Sequence, residues 1–499
     1  MVWKLVLILV LSFLIRIIRV DYPLSNGFAW GDGTRDFLVS SHIVKYGEFP
    51  LVGPHNLLTD SGIKNSSPIY FYLLALFLTV YNNILTLSVV NILLQVVLIA
   101  RIFFTVKILF NQKTAFISIL LYSFNWEVLH QSDYIWQPNL MLPLMGLSCY
   151  LLVLSFLKKD YPKLLWSIFL LVLAFAIHNS AFPWVPAFLF LIVLVINKWK
   201  FSFKEKIGIF SVFIFSSIIF YLPVLKYSLN NLSFQPGNNK LALANFGEYF
   251  ANFYSNITQI FSALNLNNPI TLSLPGILTI IYFLKAKDNK KKLMLMLIIL
   301  AILPIIFASF FDKIRLHYLI LSMPALIIFI SRLIVVSKNG VAVYVLTLTF
   351  FTIISGWFKF LSPYPLFTNQ KMIASVSETI KVELTNIQKN KGYKDFSFFQ
   401  IRSYALSQTL FDYPLLDSVF IIPLEEILNQ KLSSVSNESY FNHIQTGKTD
   451  YILVVCHQFT SKFSTNDCLN GFLFHNPRYA ILKNLYMGYP ISIYIAKHE

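Results

Sequence analysis

Hydrophobic residues fill most of the first 360 positions, in runs near the length of a bilayer-spanning helix (about 20 residues) separated by short polar breaks. The pattern predicts a series of about 11–13 transmembrane helices. After Pro363 and Pro365 it changes to an amphipathic helical stretch at 372–388 and four β-type runs. Those runs are residues 396–401, 419–422, 451–455 and 491–496. The sequence therefore predicts an α-helical polytopic membrane domain at 1–360 and a small α/β domain at 361–499.

The composition excludes an ordinary soluble protein. Hydrophobic residues make up 56% of the 499 residues and charged residues only 13%, against about 25% charged in soluble domains. The mean hydropathy is +0.63. The formal net charge is +17, and residues 1–360 hold 28 basic and 12 acidic residues, whereas 361–499 hold 12 and 11. The basic excess therefore belongs to the membrane part, and nucleic-acid binding is not expected.

Lysine clusters predict which helix ends face the cytoplasm. Three short inter-helix loops are lysine-rich, at 158–163, 198–206 and 285–292, and loops of this kind stay on the inner side. The predicted spans lie near 114–128, 140–157, 163–177, 181–197, 207–226, 270–284, 293–311, 316–335 and 341–358. Counting crossings then places the loops 130–139, 178–179, 227–269 and 312–317 on the outer face. The last span brings the C-terminal domain to that same extracytoplasmic face.

The start of the chain is less regular than the rest. The first hydrophobic run predicts a retained helix, because Arg16 and Arg19 follow it where small residues would mark a signal-peptide cleavage site. Residues 21–66 then form a long outer loop. We expect 84–108 to span the membrane and the shorter run 68–80 to lie along the outer surface, and the alternative is that both runs span.

Acidic residues concentrate in this first outer loop. It holds five of the 12 acids of the membrane part, namely Asp21, Asp32, Asp36, Glu48 and Asp60. Asp32 and Asp36 stand four residues apart, so both carboxylates project from one face if a helix begins here. A carboxylate at the water–lipid boundary is partly desolvated and more basic, which suits a general base acting on a hydroxyl or amine. The alternative is that Asp32 caps the helix without any chemistry.

The motifs of this region resemble those of the GT-C membrane glycosyltransferases. Within that class they are most similar to the branch of the protein O-mannosyltransferases and lipid A aminoarabinose transferases. A retained first helix precedes an acid-bearing outer loop, the Gly-Glu-Phe-Pro turn at 47–50 and the Ser-Pro-Ile-Tyr-Phe-Tyr stretch at 67–72. The resemblance implies transfer of a sugar from a polyprenyl-phosphate carrier to an acceptor at the outer face, with an acid early in the first loop as catalytic base. Asp32 matches that acid. Gly33 follows where an acid or amide is common, which leaves Asp36 as the second candidate.

The predicted substrate-binding residues lie in or beside the outer loops. They are Arg35, Glu48, His55, Lys64, Tyr70, Trp136, Asn139, His178, Lys313, Arg315, His317 and Tyr318. The stretch 135–139 resembles an aromatic-x-Pro-Asn element of bacterial members. Lys313 and Arg315 would hold the carrier phosphate, and ordinary interfacial snorkelling is the alternative. For His178 the alternative is a hydrogen-bonded histidine at a helix end.

The expected cofactors and partners follow from the same resemblance. No cofactor is required and no metal site is expected, although Asp32, Asp36 and Glu48 offer oxygen ligands for a divalent cation. The partners are a polyprenyl-phosphate sugar donor, a lipid, glycan or protein acceptor, and membrane lipids. We expect the chain to cross the plasma membrane of a bacterial cell several times. In an extracytoplasmic tail, Cys456 and Cys468 are free to pair as a disulfide.

Two other functions fit a chain of this composition. One is a transporter or flippase of lipid-linked sugars, and the other is a ligase or polymerase of surface polysaccharide. A transporter is expected to carry ionisable residues near the middle of the membrane, whereas most acids here lie at or near outer loops. A ligase usually concentrates its key residues in one large late loop, but loop 227–269 has only Lys240 and Glu248 as charges. The distribution of charge therefore favours chemistry on one face of the membrane.

Overall fold

The chain forms two compact units, residues 1–20 with 43–363, and residues 21–42 with 364–499. A computed structural model describes residues 2–18, 20, 30–51, 53, 67–132, 135–230, 246–263, 288–309, 320–336, 396–401, 451–457, 478–487 and 491–498, with six helical positions between 379 and 389. The spans predicted near 270–284 and 341–358, the strand predicted at 419–422 and the pairing of Cys456 with Cys468 lie outside the described residues.

The first unit is helical throughout its described part. Its helices, with α2 shared between the units, are α1 (Val2–Ile17), α2 (Trp30–Tyr46), α3 (Ile69–Leu78), α4 (Ile84–Leu109), α5 (Gln112–Phe124), α6 (Trp126–Ser132), α7 (Gln137–Lys158), α8 (Tyr161–Ile177), α9 (Val185–Trp199), α10 (Phe203–Asn230), α11 (Phe246–Ala263), α12 (Asp288–Ser309) and α13 (Met323–Val336). Short 3₁₀ segments at Asn179–Trp184 and Ile320–Ser322 precede α9 and α13.

Lipid is the solvent for much of this unit. Within the described residues, α4, α7 and the Phe203–Lys226 part of α10 are long and apolar enough to cross a bilayer, and shorter apolar segments occur in α3, α8, α9, α12 and α13. Along α10 many large apolar side chains face outward, with Phe210 66% and Phe215 64% exposed. An apolar face of this size is stable only against hydrocarbon. The chain is a multi-pass membrane protein, as its composition predicts.

Local sequence signals set the ends of these helices. Asn111 caps α5, because its side chain accepts a hydrogen bond from the Thr114 amide at 2.9 Å. The helix predicted near 114–128 is in fact two, and this part of the prediction was wrong. Asn125 adopts an extended conformation with ψ 129°, and its side chain accepts from the Val128 amide at 3.1 Å. The cap therefore ends α5 and starts α6 within one apolar run.

Helix α3 has only 10 residues, which at about 1.5 Å per residue is half the thickness of the hydrocarbon core. It is therefore too short to span, in agreement with the prediction for 68–80. Helix α4 has 26 residues and agrees with the predicted span at 84–108.

The described C-terminal residues form a four-stranded sheet in the order β1-β2-β4-β3. The strands are β1 (Phe396–Ile401), β2 (Tyr451–His457), β3 (Tyr479–Met487) and β4 (Ile491–His498). β1 and β2 are parallel, and the other pairs are antiparallel. β4 lies between two neighbours, and its Tyr494, Ile495 and Ala496 are at most 1% exposed. Lys483 on β3 pairs with Glu383 of the preceding helical stretch, so the described tail has the predicted α/β character.

Candidate functional site

Helix α2 carries both acids proposed as catalytic base. Asp32 lies inside its first turn, since the helix begins at Trp30, and not at the capping position before the helix. Asp36 is one turn further along and its side chain is fully buried. The helix ends at Tyr46, and the amide of the next residue, Gly47, donates to the Ile43 carbonyl at 3.0 Å. The helical backbone places positions 32 and 36 about one turn apart.

The turn after α2 packs on α3. The Tyr72 hydroxyl donates to the Pro50 carbonyl at 2.6 Å, and the rings of Phe49 and Tyr72 meet edge to face at 5.6 Å between centroids. Glu48, directly before Phe49 in the chain, is exposed. The structure therefore joins the two motifs of the resemblance, the Gly-Glu-Phe-Pro turn and the Tyr-rich helix, and it presents Glu48 at their junction.

The backbone conformation of Gly47 allows the chain to turn here. Its φ is +68°, a left-handed conformation that costs about 1–2 kcal/mol for a residue with a Cβ. We expect Gly47→Ala to lower the unfolding free energy by about 1 kcal/mol and to reduce transfer activity, because the turn carrying Glu48 must shift. Thermal unfolding and an activity assay in the same detergent measure both effects. Gly47→Asn is the control, since asparagine tolerates this conformation; equal losses in both variants would contradict the backbone argument.

Ser67 fixes the start of α3 against α10. Its hydroxyl donates to the Phe220 carbonyl at 2.6 Å and accepts from the Ile69 amide at 3.3 Å. Tyr70, one residue later, is 1% exposed. The Ser67 contact spans 153 residues of sequence, and it places the start of α3 beside the C-terminal half of α10.

The pairing of α7 with α8 brings three other predicted positions to one end of the bundle. The hydroxyls of Ser148 and Ser167 lie 3.0 Å apart, and each donates to the other's carbonyl. Gln137 and His178 each stand eleven residues from this contact, so in an antiparallel pair they lie at the same level. Trp136 and Asn139 at the start of α7 and His178 at the end of α8 therefore share one end of the bundle.

Asn139 belongs to a buried polar group that sequence reasoning missed. Its carbonyl accepts from Gln95 Nε2 on α4 at 3.1 Å, and Asn91, Gln95, Gln137 and Asn139 are all at most 9% exposed. Amides inside a membrane span are costly and usually functional. That signal was present in α4, which places Asn91 and Gln95 four residues apart within an apolar run.

Arg16 at the end of α1 is a second missed residue. Its guanidinium is fully buried and donates to the Ser12 hydroxyl at 2.6 Å and to the Ser123 carbonyl at 3.4 Å. In the sequence pattern, Arg16 served only to exclude a signal-peptide cleavage site. A charge inside a hydrophobic run is itself a sign of an internal role, and the contact joins the ends of α1 and α5.

An apolar groove lies between α4, α7, α9, α12 and α13. The groove covers about 930 Å³, including space that is open to the surroundings, and it is lined mainly by leucine, isoleucine, valine, methionine and phenylalanine side chains. Gly146 of α7 is on its wall, where an added Cβ would collide with Leu98 of α4. Trp184 also lines the groove, and its indole N–H has no acceptor within the described part of the chain. A groove with this lining suits a hydrocarbon ligand.

The remaining predicted site residues stay predictions. The side chains of Asp32 and Arg35 and the whole of His55, Lys64, Lys313, Arg315, His317 and Tyr318 lie outside the residues that the structure describes. Within the described residues, no group of three His, Cys, Asp or Glu side chains is placed to hold a metal ion.

Comparison with solved structures identifies the class of fold. The structure of ArnT from Cupriavidus metallidurans bound to undecaprenyl phosphate matches with a TM-score of 0.61 at 9% identity, over 98% of this chain and 97% of that one. The archaeal oligosaccharyltransferase AglB from Archaeoglobus fulgidus, in complex with an inhibitory peptide and a dolichol-phosphate, matches with a TM-score of 0.50 at 11% identity, over 91% of this chain and 69% of that one. Both are GT-C glycosyltransferases, and this chain has the GT-C fold.

Sequence comparison narrows the resemblance further. Residues 65–227 match the family model described as dolichyl-phosphate-mannose-protein mannosyltransferase. No curated protein sequence matches the chain significantly. The resemblance predicted from the first-loop motifs is confirmed by the family match and by the two structures.

Proposed function

We propose that this protein is a membrane glycosyltransferase that moves a sugar from a polyprenyl-phosphate carrier to an acceptor at the outer face of the membrane. The observation that carries the proposal is the likeness of fold over 98% of the chain to ArnT, which is bound to undecaprenyl phosphate in the matched structure. The match of residues 65–227 to a mannosyltransferase family supports it independently. The apolar groove, with its leucine-rich lining, supports a substrate with a long hydrocarbon tail.

The proposed reaction requires a general base and residues that bind the carrier phosphate. Asp32 takes the proton of the acceptor hydroxyl or amine while the acceptor atom bonds to the anomeric carbon of the sugar. The bond from that carbon to the phosphate oxygen breaks, and the carrier phosphate leaves with the electron pair. Because the phosphate is a good leaving group, no separate general acid is required. Asp36 is the second candidate for the base, and its burial on the same helix suits a carboxylate that supports Asp32.

Other predicted residues bind the two substrates. Lys313 and Arg315 hold the carrier phosphate, Arg315 by two parallel hydrogen bonds and Lys313 as a point charge. Trp136 and His178, at one end of the bundle, contact the sugar or the acceptor. The reaction is metal-independent in this proposal, because the residues named already supply the base and the phosphate contacts.

The test is transfer by the purified full-length protein in liposomes. A panel of polyprenyl-phosphate sugars is supplied, and release of carrier phosphate and labelling of lipid, glycan and peptide acceptors are measured with and without EDTA. We expect one donor to be consumed by the wild type and by EDTA-treated protein. Movement of an intact lipid-linked sugar across the bilayer without release of carrier phosphate would instead identify a flippase and end the proposal.

A further inference from the structure

Seven lysines lie together at the end of the bundle opposite His178. They occupy the connection from α7 to α8 and the connection from α9 to α10. We name this set of lysines the lysine surface. Its members are Lys158, Lys159, Lys163, Lys198, Lys200, Lys204 and Lys206. All are exposed except Lys163, which is half-buried. The acids in these connections are Asp160 and Glu205, so a strong positive charge is concentrated here.

Specific contacts join the two connections into one surface. The Trp199 indole N–H, at the end of α9, donates to the Ser155 and Phe156 carbonyls near the end of α7, at 3.0 Å each. Lys198 Nζ donates to the same Phe156 carbonyl at 2.8 Å. The side chains at the end of α9 therefore donate to carbonyls in the last turn of α7, and the two helix ends are held side by side.

A second contact ties the starts of α8 and α10. The Tyr161 hydroxyl donates to the Glu205 carbonyl at 3.0 Å, and it lies so close to Gly208 that a Cβ there would collide with it. The lysine surface is thus built on four helix ends that contact one another, so the backbone positions of its lysines are held together.

The two acids are already engaged within their own connections. Asp160 caps α8 by accepting from the Lys163 amide at 3.2 Å and pairs with the Lys163 side chain. That side-chain hydrogen bond holds the pKa of Asp160 below its usual value, so Asp160 stays ionised and Lys163 is its partner. The Glu205 carboxylate accepts from the Ser202 amide at 2.7 Å and from the Ser202 hydroxyl at 2.9 Å. The remaining lysines carry the excess positive charge.

Two of these lysines occupy an unusual backbone conformation. Lys159 and Lys200 directly follow α7 and α9 with φ values of 52° and 45°, and they are the non-glycine residues at positive φ within the described part of the chain. Glycine is the usual residue at this position, because a Cβ is strained there. The chain places a charged side chain at both positions instead, and backbone strain of this kind is often retained for a function.

Aromatic side chains mark the depth of the surface in the bilayer. Lys198 Nζ lies 3.8 Å from the centroid of the Phe156 ring and 4.8 Å from that of Trp199. Tryptophan beside lysine is typical of the headgroup level. Helix α7 has 22 residues between this end and Trp136, about 33 Å, so the lysine surface and the predicted outer residues lie at opposite leaflets.

From these observations we propose that the lysine surface binds anionic phospholipids of the leaflet opposite Trp136 and His178, with its lysines donating to the lipid phosphate. Charge complementarity selects the phosphate, and the depth of the helix ends selects a lipid headgroup over a soluble anion. The Lys159 and Lys200 side chains are the central contacts. This binding is separate from the donor carrier, which is proposed to act at the other face.

The test is lipid retention by the full-length protein in nanodiscs. Discs of phosphatidylcholine alone and discs with added phosphatidylglycerol are compared, and the lipids that remain bound after release into detergent are counted by native mass spectrometry. The wild type is expected to retain phosphatidylglycerol, and the triple variant Lys159→Gln, Lys200→Gln, Lys204→Gln to lose affinity about fivefold for each lysine removed. Lys226→Gln, an exposed lysine in the other half of α10, is the matched control and is expected to retain it.

The strained backbone provides a second readout that separates binding from folding. Lys159→Gly is expected to unfold at the wild-type temperature or above it, because glycine suits the left-handed conformation, and still to retain less phosphatidylglycerol. Lys159→Arg is expected to restore retention. Undiminished retention by the triple variant, an equal loss in Lys226→Gln, or displacement of the lipid by inorganic phosphate would each overturn the proposal. None of these readouts depends on sugar transfer, so the result is independent of the proposed enzyme activity.

Discussion

Asp32→Asn is expected to lower turnover about 10²–10⁴-fold, because asparagine keeps the shape of the side chain but cannot accept the acceptor's proton. The KM for the carrier is expected to stay near its wild-type value, since the carboxylate acts mainly in the transition state. The measurement is release of carrier phosphate from the donor that the liposome assay identifies. A circular-dichroism melt accompanies it, to show that the variant folds.

Asp36→Asn is the matched companion, one turn further along the same helix. Because Asp36 is fully buried, we expect Asp36→Asn to lower the melting temperature more than Asp32→Asn does. We expect it to reduce turnover less than Asp32→Asn does. The reverse pattern would transfer the role of base to Asp36. Wild-type turnover in both variants would show that neither carboxylate is the base.

Filling the apolar groove is expected to produce the second large effect. Cys149 lines the groove, and Cys149→Trp places the largest side chain where the proposed carrier tail lies. We expect the KM for a long-chain polyprenyl-phosphate donor to rise roughly 10–200-fold, while a donor analogue with one or two isoprene units is used nearly as well as by the wild type. The two donors are compared in the same detergent, with initial rates over a range of concentrations.

Cys149→Ala is the control for this experiment. It keeps the groove open and is expected to leave the preference for long chains unchanged. Equal losses with long and short donors in Cys149→Trp would point to general damage of the helix packing. Full activity with the long donor would show that the tail is bound elsewhere.

Sequence pattern was sufficient for elements whose stability is local. The spans predicted at 84–108 and 163–177 correspond closely to α4 and α8, because an apolar run and its flanking polar residues determine where a helix can cross a bilayer. Strand β4 was predicted from its own alternation. β3, the edge strand Tyr479–Met487, was missed, and it has irregular register against β4. An edge strand of this kind depends on its neighbour for most of its stability.

The candidate site also has a part that the sequence predicted and a part that it did not. The charge pattern singled out the first outer loop and the acids at 32 and 36 without any structure, because acids are scarce in an apolar chain and their clustering is visible in sequence. The resemblance to a known family added predicted substrate-binding residues. It did not predict which residues those side chains contact in the fold.

Only the tertiary structure decided which distant residues meet. Arg16 contacts Ser123 across 107 residues, Gln95 contacts Asn139 across 44, and the groove draws its wall from five helices. The lysine surface also exists only because α9 caps the end of α7. Hydropathy determines that each helix enters the membrane, but lipid is equally apolar on every side. The choice of neighbours therefore rests on side-chain shape and on a few buried hydrogen bonds, which no local pattern encodes.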